Sequence, residues 1–175
     1  QRMTVRDIIL DVLKFHGVME VEDRLVEQYP EREFVVQYRE SDLNFVQRLM
    51  EFEGIYYFFE HSPHRHRLIL ADSPGAHTPV QGYDTIRYRP TTDTSAKQAV
   101  REWTIASSVR TGRVVLDDFD FVSPGKELRA RSSDAAKRFG ADLEFFDYPG
   151  AYTDLSDGER YARIRLQELQ ARRQV

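Results

Sequence analysis

The stretch from Ser41 to Glu60 constrains the fold of this chain more than any other. Leu43, Val46, Leu49 and Met50 recur at spacings of three and four, the buried stripe of an amphipathic helix. Ser41 in front of them is a preferred N-cap, and Asp42 falls in the first turn, where the helix dipole favours an anion. Gly54 is placed to close the helix as a left-handed residue. The chain then runs straight into Ile55-Tyr-Tyr-Phe-Phe-Glu60. In an extended strand Ile55, Tyr57 and Phe59 point one way and Tyr56 and Phe58 the other. Both faces are apolar, so the strand needs cover on both sides, from its own domain or from a neighbouring subunit.

The remaining pattern is a mixture of helices and short strands. Thr4 precedes Val5, Ile8, Ile9, Val12 and Leu13, which predicts a capped helix ending near Gly17. Phe34, Val36 and Tyr38 alternate with Gln37 and Arg39, the period of a half-buried strand. Ile55–Glu60 and Arg67–Asp72 read as a hairpin, with His61 to His66, containing Pro63, as its turn. Ala71–Thr94 is rich in Pro, Gly, Asp and Thr and reads as an extended connection with room for a short strand at Thr85–Tyr88. Val100–Ala106 and Arg113–Leu116 form two more strands around Thr111–Gly112, and Phe119–Val122 continues that sheet. Leu143–Tyr148 is an aromatic strand stopped by Pro149–Gly150. Ser156 and Glu159 have capping-box spacing and open a last helix. Without regular βαβ alternation the fold class is α+β. The expected organisation is a helix–strand–helix–hairpin segment over 1–80, a connection over 81–98, and a second β-rich segment with a C-terminal helix over 99–175. The start at Gln1 and the uncapped last helix are expected of a fragment of a longer protein.

Composition removes several functions. The 29 acidic and 25 basic residues are interspersed and sum to −4, so there is no basic stripe for nucleic acid. The apolar runs are strand-length, short of the roughly 20 residues that cross a bilayer. Without cysteine there are no disulfides, thiol chemistry or zinc ribbons, which fits folding in a reducing cytosol. His61, His64 and His66 share one Pro- and Arg-containing turn, whereas zinc sites fix two ligands on a helix or knuckle and bring others from elsewhere. They read as a solvated hairpin tip, and no metal is expected. Glu40, Asp42, Glu51, Glu53 and Glu60 cluster in sequence, but helix-end chemistry accounts for them better than a paired acid and base. No G-x-S-x-G, H-E-x-x-H or G-x-G-x-x-G occurs, and Gly125–Lys126 lacks the rest of a phosphate loop. Trp103 reads as a core residue. Arg160, Arg163, Arg165, Arg172 and Arg173 with Glu159 and Glu168 read as an ion-paired helix face. The residues point to no catalytic group and no cofactor.

As a block, Tyr38-Arg-Glu-Ser-Asp-Leu-Asn-Phe-Val-Gln-Arg-Leu-Met-Glu-Phe-Glu-Gly-Ile-Tyr-Tyr-Phe-Phe-Glu-His61 closely resembles the signature of the VgrG (Rhs-element Vgr) spike proteins of type VI secretion. Thr4–His16, Tyr29-Pro-Glu-Arg-Glu-Phe34, Leu70-Ala-Asp-Ser73, Asp118-Phe-Asp-Phe121 and Tyr148-Pro-Gly-Ala-Tyr152 match in the same order, so the likeness covers essentially the whole chain. The resemblance implies the hub portion of a spike, similar to a phage-tail baseplate hub: barrel-like, mostly antiparallel β domains with added helices. It further implies a homotrimer that docks on the Hcp tube hexamer. A needle, a PAAR-type tip and effectors would be carried through C-terminal parts, with synthesis in the bacterial cytoplasm, assembly on the secretion baseplate and export. The family's hub region has no catalytic residues, so none are carried over and no enzyme is expected. The two-faced strand wants a second covering layer, which makes Tyr56, Tyr57, Phe58 and Phe59 the candidate subunit-interface residues. Phage-tail or pyocin hubs share the architecture and are the alternative, ahead of a glycan-cleaving or metal-dependent enzyme.

Overall fold

Helices begin where the sequence supplies hydroxyl caps. In the computed structural model, which describes residues 2–83, 85–89, 99–105, 108–135 and 140–171, α1 (Val5–Phe15) starts behind Thr4, whose Oγ1 accepts from the Asp7 amide at 3.1 Å. The Ser41 Oγ accepts from the Asn44 amide at 3.2 Å and caps α2 (Asp42–Glu53). Gly54 ends α2 at φ 74°, and Ile55 donates its amide to Met50 O at 2.8 Å. A Cβ at Gly54 would also come within 3.1 Å of the Ile164 side chain, so the position is closed sterically as well as conformationally.

The chain turns from Gly54 directly into a hairpin of β2 (Tyr56–Ser62) and β3 (Arg65–Ala71), with β1 (Val21–Arg24) parallel to β3 on its other side. Tyr57 lies opposite Leu70 and Phe59 opposite Leu68, while Val21 aligns with Leu68 on β1. Helices α1 and α2 pack with these rows into a first core of Val5, Ile9, Phe45, Val46, Leu49, Met50, Ile55, Leu68 and Leu70. A second sheet, ordered β5 (Ala130–Ser133), β4 (Arg113–Leu116), β6 (Glu144–Asp147), is covered on β4 and β5 by α3 (Leu155–Ala171). Its core holds Val114, Leu116, Leu128, Ala130, Tyr152, Tyr161, Ala162 and Leu166. The Tyr152 hydroxyl donates to Leu128 O at 2.7 Å, and Gly158 leaves space for its ring, since a Cβ there would sit 2.5 Å from it.

The end of α2 belongs to both cores. Phe52 packs against the second core, edge-on to Tyr161 with ring centroids 4.6 Å apart. The next residue, Glu53, is a buried carboxylate bonded to Arg32 Nη2 at 2.6 Å and to Arg160 Nη1 of α3.

Several expectations need correction. Phe34–Tyr38 forms no strand, and Phe34, Val36 and Tyr38 are exposed while Val35 between them packs against the first core. Phe119–Val122 is a bend around Asp120, whose carboxylate accepts the amides of Val122 and Ser123. Thr85–Tyr88 and the described part of Val100–Ala106 contribute a single bridge, Tyr88 to Val100; residue 106 lies outside the described residues. Trp103 is 64% exposed and is no core residue. Residues 84 and 90–98 of the expected connection over 81–98, with Arg172 and Arg173, also lie outside the described residues. Strands β1 and β5 were not expected; Val21-Glu-Asp-Arg and Ala130-Arg-Ser-Ser are short, polar and carry no alternation. The α+β class holds, but among the described residues both sheets are open and each mixes one parallel with one antiparallel pairing. β1 reaches β3 only after α2 and β2, the kind of long crossover that a parallel pair requires.

Candidate functional site

Strand β2 is covered on one face and open on the other. On one face, Tyr56 donates its hydroxyl to Ser73 O at 2.9 Å and stacks on His77, and Phe58 stacks on the same imidazole with centroids 4.6 Å apart. The segment after β3 therefore covers this side, and its burial raises the Tyr56 phenol pKa. On the other face, Tyr57 and Phe59 meet edge to face at 5.9 Å and remain 39% and 50% exposed. They border an apolar hollow between hairpin and helices whose walls include Leu13, Leu43, Met50 and Leu68. Leu43 is itself 62% exposed, so the hollow opens onto a wider apolar surface. Of the four candidate interface residues, the structure thus leaves Tyr57 and Phe59 available and places Tyr56 and Phe58 under the chain's own cover.

The hairpin turn is tighter than the sequence spacing suggests. The ladder runs out to Ser62 opposite Arg65, leaving Pro63 and His64 as the turn. His61 and His66 become a cross-strand pair with Nδ1 atoms 2.7 Å apart, and His64 stays exposed at the tip.

Four of the five clustered carboxylates, Glu40, Asp42, Glu53 and Glu60, are drawn to separate partners. Glu40 bonds Arg48, which holds its carboxyl below the usual range. Asp42 is held low by Gln37 and then by His16. Glu60 faces Arg24 at 2.8 Å. Glu53 is the buried partner of Arg32 and Arg160, and no pair of these carboxylates faces one cleft. Burial of Glu53 was missed, yet it continues the stripe of Leu49 and Met50 at spacings of four and three. Nearby, Asp72 accepts the Tyr29 hydroxyl at 2.8 Å and the amides of Val26 and Glu27. That contact and burial push the Tyr29 phenol well above its ordinary value, burial being the larger cause. On α3, Arg163 pairs with Glu27 and Arg165 with Glu168, as expected of an ion-paired face, whereas Arg160 is half-buried and turns inward to Glu53.

A second open surface was not anticipated. β6 is an edge strand whose four residues are all exposed, with Phe145 beside Val114 and Phe146 beside Val115 of β4. Leu143, Phe145, Phe146 and Tyr148 are 48%, 42%, 53% and 57% exposed. Alternation predicts the strand but not whether anything covers it. Among the described residues no strand lies beyond β6, so these aromatic side chains form a candidate contact surface.

Comparison with known proteins bears on what these surfaces serve. The family model for the phage tail baseplate hub (GPD) matches residues 1–175. The type VI secretion system spike protein VgrG1b of Pseudomonas aeruginosa is 43% identical over 173 residues, 98% of this chain and 23% of the relative. VgrG1a of the same organism is 42% identical over 172 residues, covering 98% and 27%, and VgrG4b is 34% identical over 178 residues, covering 100% and 22%. The chain therefore spans about a quarter of the length of these curated relatives. Among solved structures, the c3393 protein of E. coli, a component of the type VI secretion system, is 29% identical with a TM-score of 0.42 over 52% of this chain and 25% of that one.

Proposed function

Because the chain belongs to the phage tail baseplate hub family, we propose that it is the hub segment of a type VI secretion spike, a structural part and not an enzyme. The observation that carries this reading is the 43% identity to a VgrG spike protein, sustained over 98% of the chain. In this role three copies associate, the ring docks on the Hcp tube, and other parts of the longer protein supply the needle, the PAAR-type tip and any effector. The spike assembles on the baseplate from the cytoplasm and leaves the cell with the tube. Barrel closure belongs to the assembled protein, where strands from outside this segment complete the open sheets. The division into 1–80, 81–98 and 99–175 is supported by two hydrophobic cores, one drawn from residues between Val5 and Leu70 and the other mainly from residues between Val114 and Leu166.

Tyr57 and Phe59, with Leu43 beside them, form the interface we assign to the hairpin side, since exposed contiguous apolar surface marks interaction sites. The test uses the protein extended through its needle. Phe59→Asp and Tyr57→Asp abolish trimerisation or co-sedimentation with Hcp tubes while circular dichroism stays unchanged. A variant pair that trimerises and sediments like the parent removes these residues from the interface. Sedimentation of this segment beside the extended protein then separates trimerisation carried by the hub from trimerisation carried by the needle. A phage-tail hub is the second reading, favoured by the family description itself, and failure to bind Hcp alongside intact trimerisation selects it.

A further inference from the structure

The register of the hairpin sets His61 directly opposite His66, with Nδ1 atoms 2.7 Å apart. Two imidazole nitrogens approach this closely when an N–H of one points at the lone pair of the other, or when a positive centre sits between two lone pairs. The rings are held in place: His61 lies parallel to Phe59 with centroids 6.0 Å apart and meets His66 at 4.9 Å and 67°. Among the described residues neither ring nitrogen pair has another hydrogen-bond partner, and both side chains are exposed. Metal–imidazole bonds of 2.0–2.1 Å at right-angle to tetrahedral openings put two donor nitrogens about 2.9–3.3 Å apart. The pair needs to open by only a few tenths of an ångström to reach that span.

We propose that His61 and His66 form a two-imidazole site for a borderline divalent cation such as Cu²⁺, Ni²⁺ or Zn²⁺, with water in the remaining positions. The ring that donates through Nδ1 moves its proton to Nε2, so both rings stay neutral and present lone pairs to the metal. Two nitrogen donors and no oxygen donor from the protein select against Mg²⁺ and Ca²⁺, and Cu²⁺ binds tightest by the usual order. His64 takes no part; the described residues hold no group of three such donors. The neighbouring cations do not oppose binding strongly, since Arg65 is paired with Glu20 and Arg67 with Glu22. Bound metal would fasten the open end of β2 to β3.

The test is calorimetric titration of the untagged chain with CuCl₂ and ZnCl₂, paired with thermal unfolding in excess metal. Saturation at one metal per chain and a raised Tm are expected, with no rise in MgCl₂. His61→Gln and His66→Gln each weaken binding at least about tenfold and remove the Tm shift, whereas His64→Gln and His77→Gln bind like the parent. All four positions lie at the surface, and circular dichroism verifies folding. No binding by the parent, equal loss on His64→Gln, or parent-like binding by His61→Gln or His66→Gln overturns the site.

Discussion

At the scale of single residues, Glu53 decides most. Its carboxylate has no exposure and two guanidinium partners, one from the loop at Arg32 and one from α3 at Arg160. Removing one member of a buried ionic group leaves the others desolvated and uncompensated. Glu53→Gln should therefore lower stability by about 3 kcal/mol in urea denaturation. A loss no larger than that of a surface carboxylate would show that water already satisfies the two arginines. Tyr152 offers a second residue-level prediction. Burial pushes its phenol up to about 12, so the folded state holds a proton that the unfolded chain releases near pH 10. That contribution is complete below pH 10 and disappears as pH rises toward 12. Tyr152→Phe should flatten the alkaline loss and cost about 1 kcal/mol at neutral pH for the bond to Leu128.

At the scale of elements, α2 was legible because its ends are local chemistry. Ser41, Asp42 and Gly54 act on the backbone within a turn of themselves, and no distant contact is needed to read them. Ser41→Ala should cost about 1 kcal/mol. Gly54→Ala should cost more, since the left-handed backbone penalty of about 1–2 kcal/mol adds to contact with Ile164. Equilibrium unfolding of both variants checks the order. The strands were less legible. β1 and β5 owe their pairing to neighbours brought from far along the chain, and Val21-Glu-Asp-Arg carries no mark of that. Phe34–Tyr38 carries the mark without the neighbour. For β6 the aromatic pattern was readable, but exposure depends on what lies beyond the edge. Phe146→Lys should therefore reduce concentration-dependent association of the chain in light scattering, without lowering Tm.

At the scale of the whole molecule, the candidate site was legible as a strand and only half legible as a surface. The sequence marks Tyr56 to Phe59 as apolar on both faces, but it does not say that His77 comes back to cover Tyr56 and Phe58. That depends on a loop closing over the sheet. Net charge and ion pairing also act globally. Glu22, Glu40 and Asp42 have lowered carboxyl pKa values, held chiefly by Arg24, Arg48 and Gln37 respectively. Groups with depressed folded values stabilise above the unfolded value and lose that stabilisation as pH falls through the folded one. Stability should therefore decline below about pH 4.5, read as a falling urea midpoint, and high salt should soften the decline.

The last turn of α2 has a mechanical meaning. Phe52 is seated in one core while the residues just before it fill the other, and Glu53 grips α3 through Arg160. A load applied to either sheet has a short, stiff path to its counterpart through three consecutive backbone units. Both cores should therefore unfold together, read as a single transition in urea denaturation followed by two probes. Cutting the grip at Arg160 would leave Phe52 against Tyr161 and the Glu27–Arg163 pair to carry the joint.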